Sequence, residues 1–131
     1  MKRAPVVILM LFLFGASLRA QEARFAVAVS FPNSLSQPSM TEQVQSFVSR
    51  ELRSLNDVAI VSQNAAYFIS VVAEQLKLDN GHVAGVALSY VMHDLATDRL
   101  LHEMGVDRPD RLQAMCQRMV ARFDVVFLEP R

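Results

Sequence analysis

The sequence predicts an α+β fold, with a single-layer, mainly antiparallel sheet and two helices packed on one face, in the order β-α-β-β-β-(β)-α. Three observations favour this class. Several short segments alternate large apolar residues with small or polar ones, as half-buried strands do. Two longer segments repeat apolar residues at helical spacing. An Asn-Gly pair lies midway between two of the alternating segments, at the point where a hairpin would turn.

The amino-terminal segment, residues 1–20, has the order of a secretory signal peptide. Lys2 and Arg3 precede an uninterrupted apolar run from Val6 to Phe14, and small residues follow it. The run is too short to cross a bilayer, which takes roughly 20 helical residues. We therefore expect a cleavable signal peptide. An uncleaved signal anchor and a buried amino-terminal helix are the alternatives.

Cleavage is expected after Ala20, or alternatively after Ser17, and leaves one α+β domain over residues 21–131. No Cys follows the apolar run, which argues against a lipid anchor, and no later stretch has the length of a transmembrane segment. The sequence thus predicts export to a bacterial periplasm, with an extracellular location as the alternative.

The composition excludes several classes of protein. Of the 13 basic residues, residues 1–20 contain three, and they contain none of the 13 acidic ones, so the remainder has a net charge of −3. A mildly acidic domain lacks the basic patch with which proteins bind nucleic acid. A single Cys rules out an internal disulfide framework and a zinc site built from Cys. A hydrophobic content of 52% suits one buried core.

The first part of the mature chain reads as strand, helix and short strand. Alternation from Phe25 to Phe31 predicts a strand that Pro32 ends. Ser39-Met40-Thr41-Glu42 has the pattern of a capping box, and it predicts a helix from there to about residue 56. The apolar run from Val58 to Val61 predicts a short buried strand.

The middle of the chain predicts a hairpin around Asn80-Gly81, the preferred pair for a two-residue type I′ turn. Folding the chain there places positions whose numbers sum to 161 opposite each other. Three apolar pairs then share one face: Ala73 with Leu88, Val71 with Tyr90, and Ile69 with Met92. A slip of one residue would destroy this match, so the turn and the hydrophobic pattern select the same register.

The last part predicts a return strand and a helix. Asp94–Asp98 is polar enough to turn, and Leu100–Val106 can form another strand. Asp107 is expected to cap the final helix, with Pro109 in its first turn. The apolar stripe of that helix comprises Leu112, Met115, Cys116, Met119, Val120 and Phe123. Residues 125–128 fit either a continuation of the helix or a final strand.

Two segments resemble the small α/β domain of exported bacterial envelope proteins. They are Ala66–Val71 and Val86–Thr97. They are similar to the strands of the amino-terminal domain of TolB and of curli-secretion and penicillin-binding-protein-activator lipoproteins. Only residues 62–65 separate two strands where those domains have another helix. The resemblance implies a non-enzymatic envelope component that works through contacts with partners, and it transfers no catalytic residue.

One cluster of side chains has the chemistry of a metal site. His93, Asp94 and His102 offer imidazole and carboxylate ligands on both sides of the predicted turn, and Asp98 lies within it. The more ordinary interpretation is that the two Asp form the turn. Cys116 lies on the apolar stripe and is expected to be buried and inert. No catalytic motif and no phosphate-binding loop is present, so we predict no cofactor.

The function predicted from the sequence is therefore that of a small exported accessory or protein-interaction domain without catalytic activity. Its partner is expected to be an envelope protein or a second copy of the chain. The alternative is a periplasmic protein that binds a metal or small ligand through His93, Asp94 and His102. Contacts are expected on an uncovered sheet face or edge. The predicted interaction residues are Ser70, Val72, Ser89 and Val91.

Overall fold

A computed structural model describes residues 25–32 and 38–129 of the chain, and the predicted signal peptide lies outside them. The strands are β1 (Phe25–Ser30), β2 (Val58–Ile60), β3 (Tyr67–Lys77), β4 (Val83–Asp94) and β5 (Arg99–Asp107). The helices are α1 (Pro38–Ser54) and α2 (Leu112–Phe123); a 3₁₀ turn (Pro109–Arg111) precedes α2, and a π-helical turn (Asp124–Leu128) follows it.

The five strands form one sheet in the order β2-β1-β3-β4-β5. β1 pairs in parallel with β2 and β3, whereas the longer strands β3, β4 and β5 pair antiparallel. Both helices pack on one face, which confirms the predicted α+β class. The core between helices and sheet includes Val27, Val48, Leu52, Ile69, Val71, Leu88, Met92, Met119 and Phe123, each no more than 1% exposed. Among the described residues, no helix has the length and apolarity needed to cross a membrane.

The connection between β2 and β3 in the parallel part of the sheet contains no helix. Val27 of β1 pairs with Ile60, the last residue of β2, and with Tyr67, the first residue of β3. β2 therefore lies beside the first half of β1, and β3 lies beside the second half. Because β2 ends at the level where β3 begins, residues 61–66 need only cross β1. Parallel neighbours that share the same level require a much longer return connection.

The predicted register of the β3–β4 hairpin is confirmed. Ile69 pairs with Met92, and the Val71–Tyr90 and Ala73–Leu88 pairs follow in step. The side chains of these residues face the helices, where all are buried except the half-buried Tyr90. The long alternating pattern on both strands fixes this register, since a slip of one residue would turn the apolar set to solvent.

The predicted turn type at the end of this hairpin is wrong. The Leu78 N–H donates to the carbonyl of His82 (2.8 Å), and the Gly81 N–H donates to the carbonyl of Leu78 (2.9 Å). The loop therefore contains residues 79–81, not the Asn80-Gly81 pair alone. Gly81 has a φ of 85°, the left-handed conformation that closes a three-residue loop after a type I turn.

A β-bulge restores the register that the longer loop would have shifted. Lys77 pairs with Val83, but the preceding residue, Leu76, pairs with Gly85, so Ala84 is an extra residue in β4. The loop displaces the pairing by one position and the bulge displaces it back. The register predicted from the apolar pattern was thus correct, although the predicted turn type was not.

Both predicted helix caps are wrong, although the helices themselves are confirmed. α1 begins at Pro38, so Ser39 lies inside its first turn and does not cap it. Pro is favoured at this first position because its missing N–H would have no intrahelical partner. Ahead of the second helix, the N-cap of the 3₁₀ turn is Arg108, not Asp107. Asp107 instead accepts a hydrogen bond from the Arg108 N–H (2.8 Å).

The apolar stripe of α2 is confirmed, because all six of its predicted residues are buried. The helix does not give way to a strand at its end. The chain continues in the π-helical turn Asp124–Leu128, where Phe127 and Leu128 are buried and Val125 is 57% exposed. The β-branched Val125 is accommodated because its side chain points to solvent.

Candidate functional site

The face of the sheet opposite the helices, termed the open face below, has no helix packed on it within the described chain. The register places even-numbered residues of β1, β3 and β5 there, together with odd-numbered residues of β4. Its main side chains are Phe68, Ser70, Val72, Glu74, Ala87, Ser89, Val91, His93, Leu100, His102, Met104 and Val106. Glu74 is the one carboxylate among these positions, and none of them is Lys or Arg. The open face is therefore broad, weakly charged and largely apolar.

The four predicted interaction residues lie together on the open face. Ser70 pairs with Val91, and Val72 pairs with Ser89, across the β3–β4 ladder. All four are partly exposed. Two adjacent cross-strand pairs thus form the centre of the face, each joining a hydroxyl group to a branched apolar side chain.

The most exposed apolar residues of the open face lie on β5 and were not singled out by sequence reasoning. Leu100, Met104 and Val106 are 59%, 67% and 59% exposed. The alternation along β5 predicts that these residues share one face. Which face that is follows only from the pairing of β5 with β4, where they oppose His93, Ser89 and Ala87.

The structure does not gather the candidate metal ligands. His93 Nε2 lies 2.6 Å from Oδ1 of Asp98, a residue of the turn. The Asp94 Oδ1 accepts hydrogen bonds from the N–H groups of Ala96 (3.0 Å) and Thr97 (3.3 Å), and so shapes the same turn. In the described ranges, no three His, Cys, Asp or Glu side chains come within reach of one ion.

His102 is separate from that turn and contacts a predicted interaction residue. Its Nε2 lies 3.2 Å from Ser89 Oγ on the neighbouring strand. His102 and His93 share the open face, with His102 opposite Val91 and His93 opposite Leu100. The two imidazoles are therefore polar elements of the apolar face, each engaged with a different partner.

A polar network lies on the helix side of β4 and β5. The Tyr90 hydroxyl donates to Glu103 Oε2 (2.7 Å), and Arg122 of α2 donates to Glu103 Oε1 (3.0 Å). Burial, followed by the bond to Glu103, raises the pKa of Tyr90 to about 12. The same bond from Tyr90, aided by Arg122, lowers the pKa of Glu103 below its ordinary value. A carboxylate held ionised in this way is a weak general base, which argues against a catalytic role for Glu103. The network instead joins α2 to the sheet, because Glu103 binds Arg122 of the helix and Tyr90 of β4.

A groove of ≈ 410 Å³ lies beside this network, between β5 and α2. Met115 and Met119 form part of its wall. At one end Arg118 donates to Asp107 Oδ2 (3.2 Å), and the pKa of Asp107 is lowered, chiefly by the hydrogen bond from the backbone N–H of Arg108. Both carboxylates of the groove are thus paired with Arg, and both point away from the open face.

Cys116 is buried in α2, as the sequence predicts. Burial, with a smaller effect of Glu51, raises the pKa of its thiol to about 12. Because the thiolate is the reactive form, both burial and the raised pKa disfavour reaction of this thiol in the folded protein.

Comparison with known proteins supports the fold and does not define a family. No protein-family model matches the chain, and no curated protein matches its sequence. Among solved structures, the PelC dodecamer of Paraburkholderia phytofirmans is similar over 79% of this chain and 86% of that chain, with 18% identity and a TM-score of 0.50. A point variant of that dodecamer gives the same TM-score at 19% identity, covering 79% of this chain and 85% of its own.

A second solved structure is similar at the level of the fold. Protein XCC0632 of Xanthomonas campestris, of family DUF330, covers 79% of this chain and 86% of its own, with 11% identity and a TM-score of 0.56. At such identities the likeness extends to the arrangement of helices and strands alone. These matches are to PelC and DUF330 proteins, whereas the sequence suggested TolB and curli-related domains. What is established is a small α/β fold shared with PelC and DUF330 structures.

Proposed function

We propose that this chain is a small exported accessory protein without catalytic activity, and that it works by binding copies of itself through the open face and its β5 border. The observation that carries the proposal is the exposure of Leu100, Met104 and Val106 on one strand of the open face, on which no helix of the described residues packs. Isolated exposed apolar residues are normal on protein surfaces, but a contiguous group of them marks an interaction site.

The chemistry of the open face suits a protein partner. Ser70, Val72, Ser89 and Val91 place small hydroxyl and branched apolar groups at its centre, and β5 adds larger apolar side chains at its border. An interface core is typically apolar and depleted in charge. Ionised groups are concentrated instead on the helix side, where Glu103 and Asp107 are held by Arg.

Assembly from identical copies is further supported by the structural neighbours. The PelC structures that share this fold are dodecamers. Closed homo-oligomers are common among soluble proteins, and they require each copy to present self-complementary or matching surfaces. An open sheet face with a long border strand provides such a surface.

The experiment that tests this function compares two Lys substitutions at equally exposed apolar positions. Met104 (67% exposed) lies on the open face, and Val125 (57% exposed) lies beyond α2. Sedimentation velocity of the mature chain, from low to high micromolar concentration, is expected to show oligomers. Met104→Lys should weaken association at least about tenfold, because a Lys on the apolar face of an edge strand opposes association with another copy.

Val125→Lys is the matched control and should leave the sedimentation profile unchanged. Circular dichroism should show that both variants keep the native fold, since neither position is buried. A wild-type chain that stays monomeric throughout the concentration range would refute the proposed function. Equal weakening by the two substitutions would refute the assignment to the open face.

Export is the second part of the proposal, and it rests on the charged, apolar and small-residue order of residues 1–20. Expression of the full chain in a Gram-negative host, followed by fractionation, should place the protein in the periplasm. Amino-terminal sequencing should give Gln21 as the first residue, or Leu18 if cleavage follows Ser17. Recovery of the uncleaved chain from the cytoplasm would contradict the proposal.

A further inference from the structure

The longest unpaired border of the sheet is the outer edge of β5. In the described part of the chain, β5 pairs with β4 on one side only. The opposite border consists of the three-residue strand β2 and, beyond the end of β1, of residues 71–77 of β3. β5 is nine residues long and pairs with β4 without a register shift. A strand of this kind presents a row of backbone donors and acceptors on which another strand can assemble.

The β5 edge lacks several of the features that usually keep sheets apart, which are Pro, a bulge, short length and charged side chains on the strand. The charged residues that it does carry, Arg99, Glu103 and Asp107, lie on the helix side. β5 contains no Pro, and its open-face positions are Leu100, His102, Met104 and Val106. The first, third and fourth of these are more than half exposed. The edge is therefore ready to pair with a strand whose side chains match it.

A second copy of β5 is a strand that matches this edge, and with this we deepen the proposed function, on which the inference rests. We propose that two copies pair β5 with β5, antiparallel, about a two-fold axis at Glu103, so that their sheets join into one. Positions whose numbers sum to 206 then oppose each other. Arg99 then faces Asp107 of the second copy at both ends of the ladder, where it would join the ion pair that Asp107 makes with Arg118 of its own chain.

The remaining positions of this register also match. Leu100 opposes Val106 of the second copy on the open face, and His102 opposes Met104. On the helix side, Leu101 opposes Gly105, which leaves room for the larger side chain. Antiparallel pairing keeps opposed residues on the same face, so the open faces of the two copies become continuous.

The neighbouring registers are poorer. Moving the axis to His102 opposes Leu101 with Glu103 and leaves Val106 and Asp107 outside the ladder. Moving it to Met104 opposes Leu101 with Asp107 and leaves Arg99 and Leu100 outside. Each shift pairs an apolar side chain with a carboxylate and shortens the ladder. The central register avoids both losses, and it is the only one of the three that uses all of β5.

Glu103 faces its own counterpart at the axis, and like charges in that position repel. Two groups of its own chain already bind this carboxylate. Tyr90 donates to one oxygen (2.7 Å), and Arg122 donates to the other (3.0 Å). The charge at the axis is therefore largely neutralised within each copy before the two copies meet.

Disulfide cross-linking tests the register directly. In a C116A background, Leu100→Cys and Val106→Cys are made as separate, differently tagged proteins and are mixed under mild oxidation. Opposed residues in an antiparallel pair have Cα atoms about 4.5 or 5.5 Å apart, within the range that a disulfide spans. The mixture should give cross-linked dimers that contain one copy of each, and neither protein alone should give any.

His102→Cys and Met104→Cys report the two shifted registers, because each residue would then face itself. Val125→Cys is the control for collisional cross-linking at an exposed position away from β5. Sedimentation of the uncross-linked proteins accompanies each measurement. Oligomers that cross-link through residue 102 or 104, or that fail to cross-link at all, overturn this inference and leave the proposed function standing. A chain that remains monomeric overturns both.

Discussion

The two faces of the sheet are formed by the same strands and differ in what covers them. Along β3, Ile69 and Val71 face the helices and are fully buried, whereas Ser70 and Val72 face outward and are partly exposed. On the helix side, charged groups at the rim are paired with α2. On the open face, apolar side chains of β5 remain in solvent. The difference shows that one face stabilises the monomer, and it leaves the other available to bind.

The two borders of the sheet also differ in how much unpaired backbone they offer to a partner strand. On one border, β2 has three residues and β3 extends beyond β1 only over residues 71–77, which limits the backbone that this border offers to a partner strand. β5 has nine residues, with apolar side chains along its open-face positions. Short edge strands resist pairing with other chains, and long regular ones favour it. Substitutions on the two faces should therefore separate positions that stabilise the monomer from positions that bind.

The largest effect on stability is expected from truncation on the covered face. Ile69→Ala should lower the free energy of unfolding by about 2–5 kcal/mol, because it removes buried methyl groups and leaves a cavity in the core. Val72→Ala, three residues along the same strand but on the open face, should cost less than about 1 kcal/mol. Chemical denaturation measured by circular dichroism compares the two. Equal losses would show that the open face is packed in the monomer.

An intermediate effect is expected at the rim of the covered face. Tyr90→Phe removes the hydrogen bond to Glu103 and should lower the free energy of unfolding by about 1 kcal/mol at neutral pH. Folding raises the pKa of Tyr90 from 10.0 to about 12, so its contribution is complete below pH 10 and is lost as pH rises toward 12.

Denaturation curves for the wild type and Tyr90→Phe should therefore differ most at neutral pH and converge as the pH is raised above 10. At the acid end, the lowered pKa of Glu103 adds stability that is present above its ordinary pKa and is lost as pH falls through the folded value. A difference between the two proteins that stays constant up to pH 12 would show that folding does not raise the pKa of Tyr90, and it would contradict this prediction.

The smallest effect is expected for an exposed polar pair on the open face. His93 Nε2 and Asp98 Oδ1 are 2.6 Å apart, but Asp98 is 90% exposed. Surface pairs of this kind contribute roughly 0–1 kcal/mol, so His93→Ala should change the free energy of unfolding by less than about 1 kcal/mol. Asp98→Gly removes the other partner of this pair without adding backbone strain, since Asp98 has a φ of 60° that Gly adopts readily. A loss above 2 kcal/mol in His93→Ala would assign this pair a structural role.

The sequence predicted the antiparallel part of the fold better than the parallel part. The β3–β4 register depends on the local alternation from Ile69 to Met92, and it was correct even though the turn at Gly81 is longer than expected. The pairing of β1 with both β2 and β3 joins residues that are distant along the chain, such as Val27 and Tyr67. No local pattern encodes such contacts, so the order of the sheet could not be derived.

The same distinction applies to the candidate site. Ser70, Val72, Ser89 and Val91 could be assigned to one face because the hairpin register fixes it. The exposure of Leu100 and Met104 depends on β5 being the last strand of the sheet, which is a property of the whole topology. The predicted cap of the first helix was wrong for a local reason, because α1 begins at Pro38 and Ser39 lies inside its first turn.

Hydrogen–deuterium exchange at low and high protein concentration is the most direct test of the claim that the β5 border is an interface. The backbone amides of Arg99–Asp107 that point away from β4 should exchange more slowly at high concentration, because a second copy then pairs with the free edge. Amides of β2, the opposite border, should exchange at the same rate in both samples. Exchange from β5 that is independent of concentration, or protection that appears on the helices instead, would contradict the account.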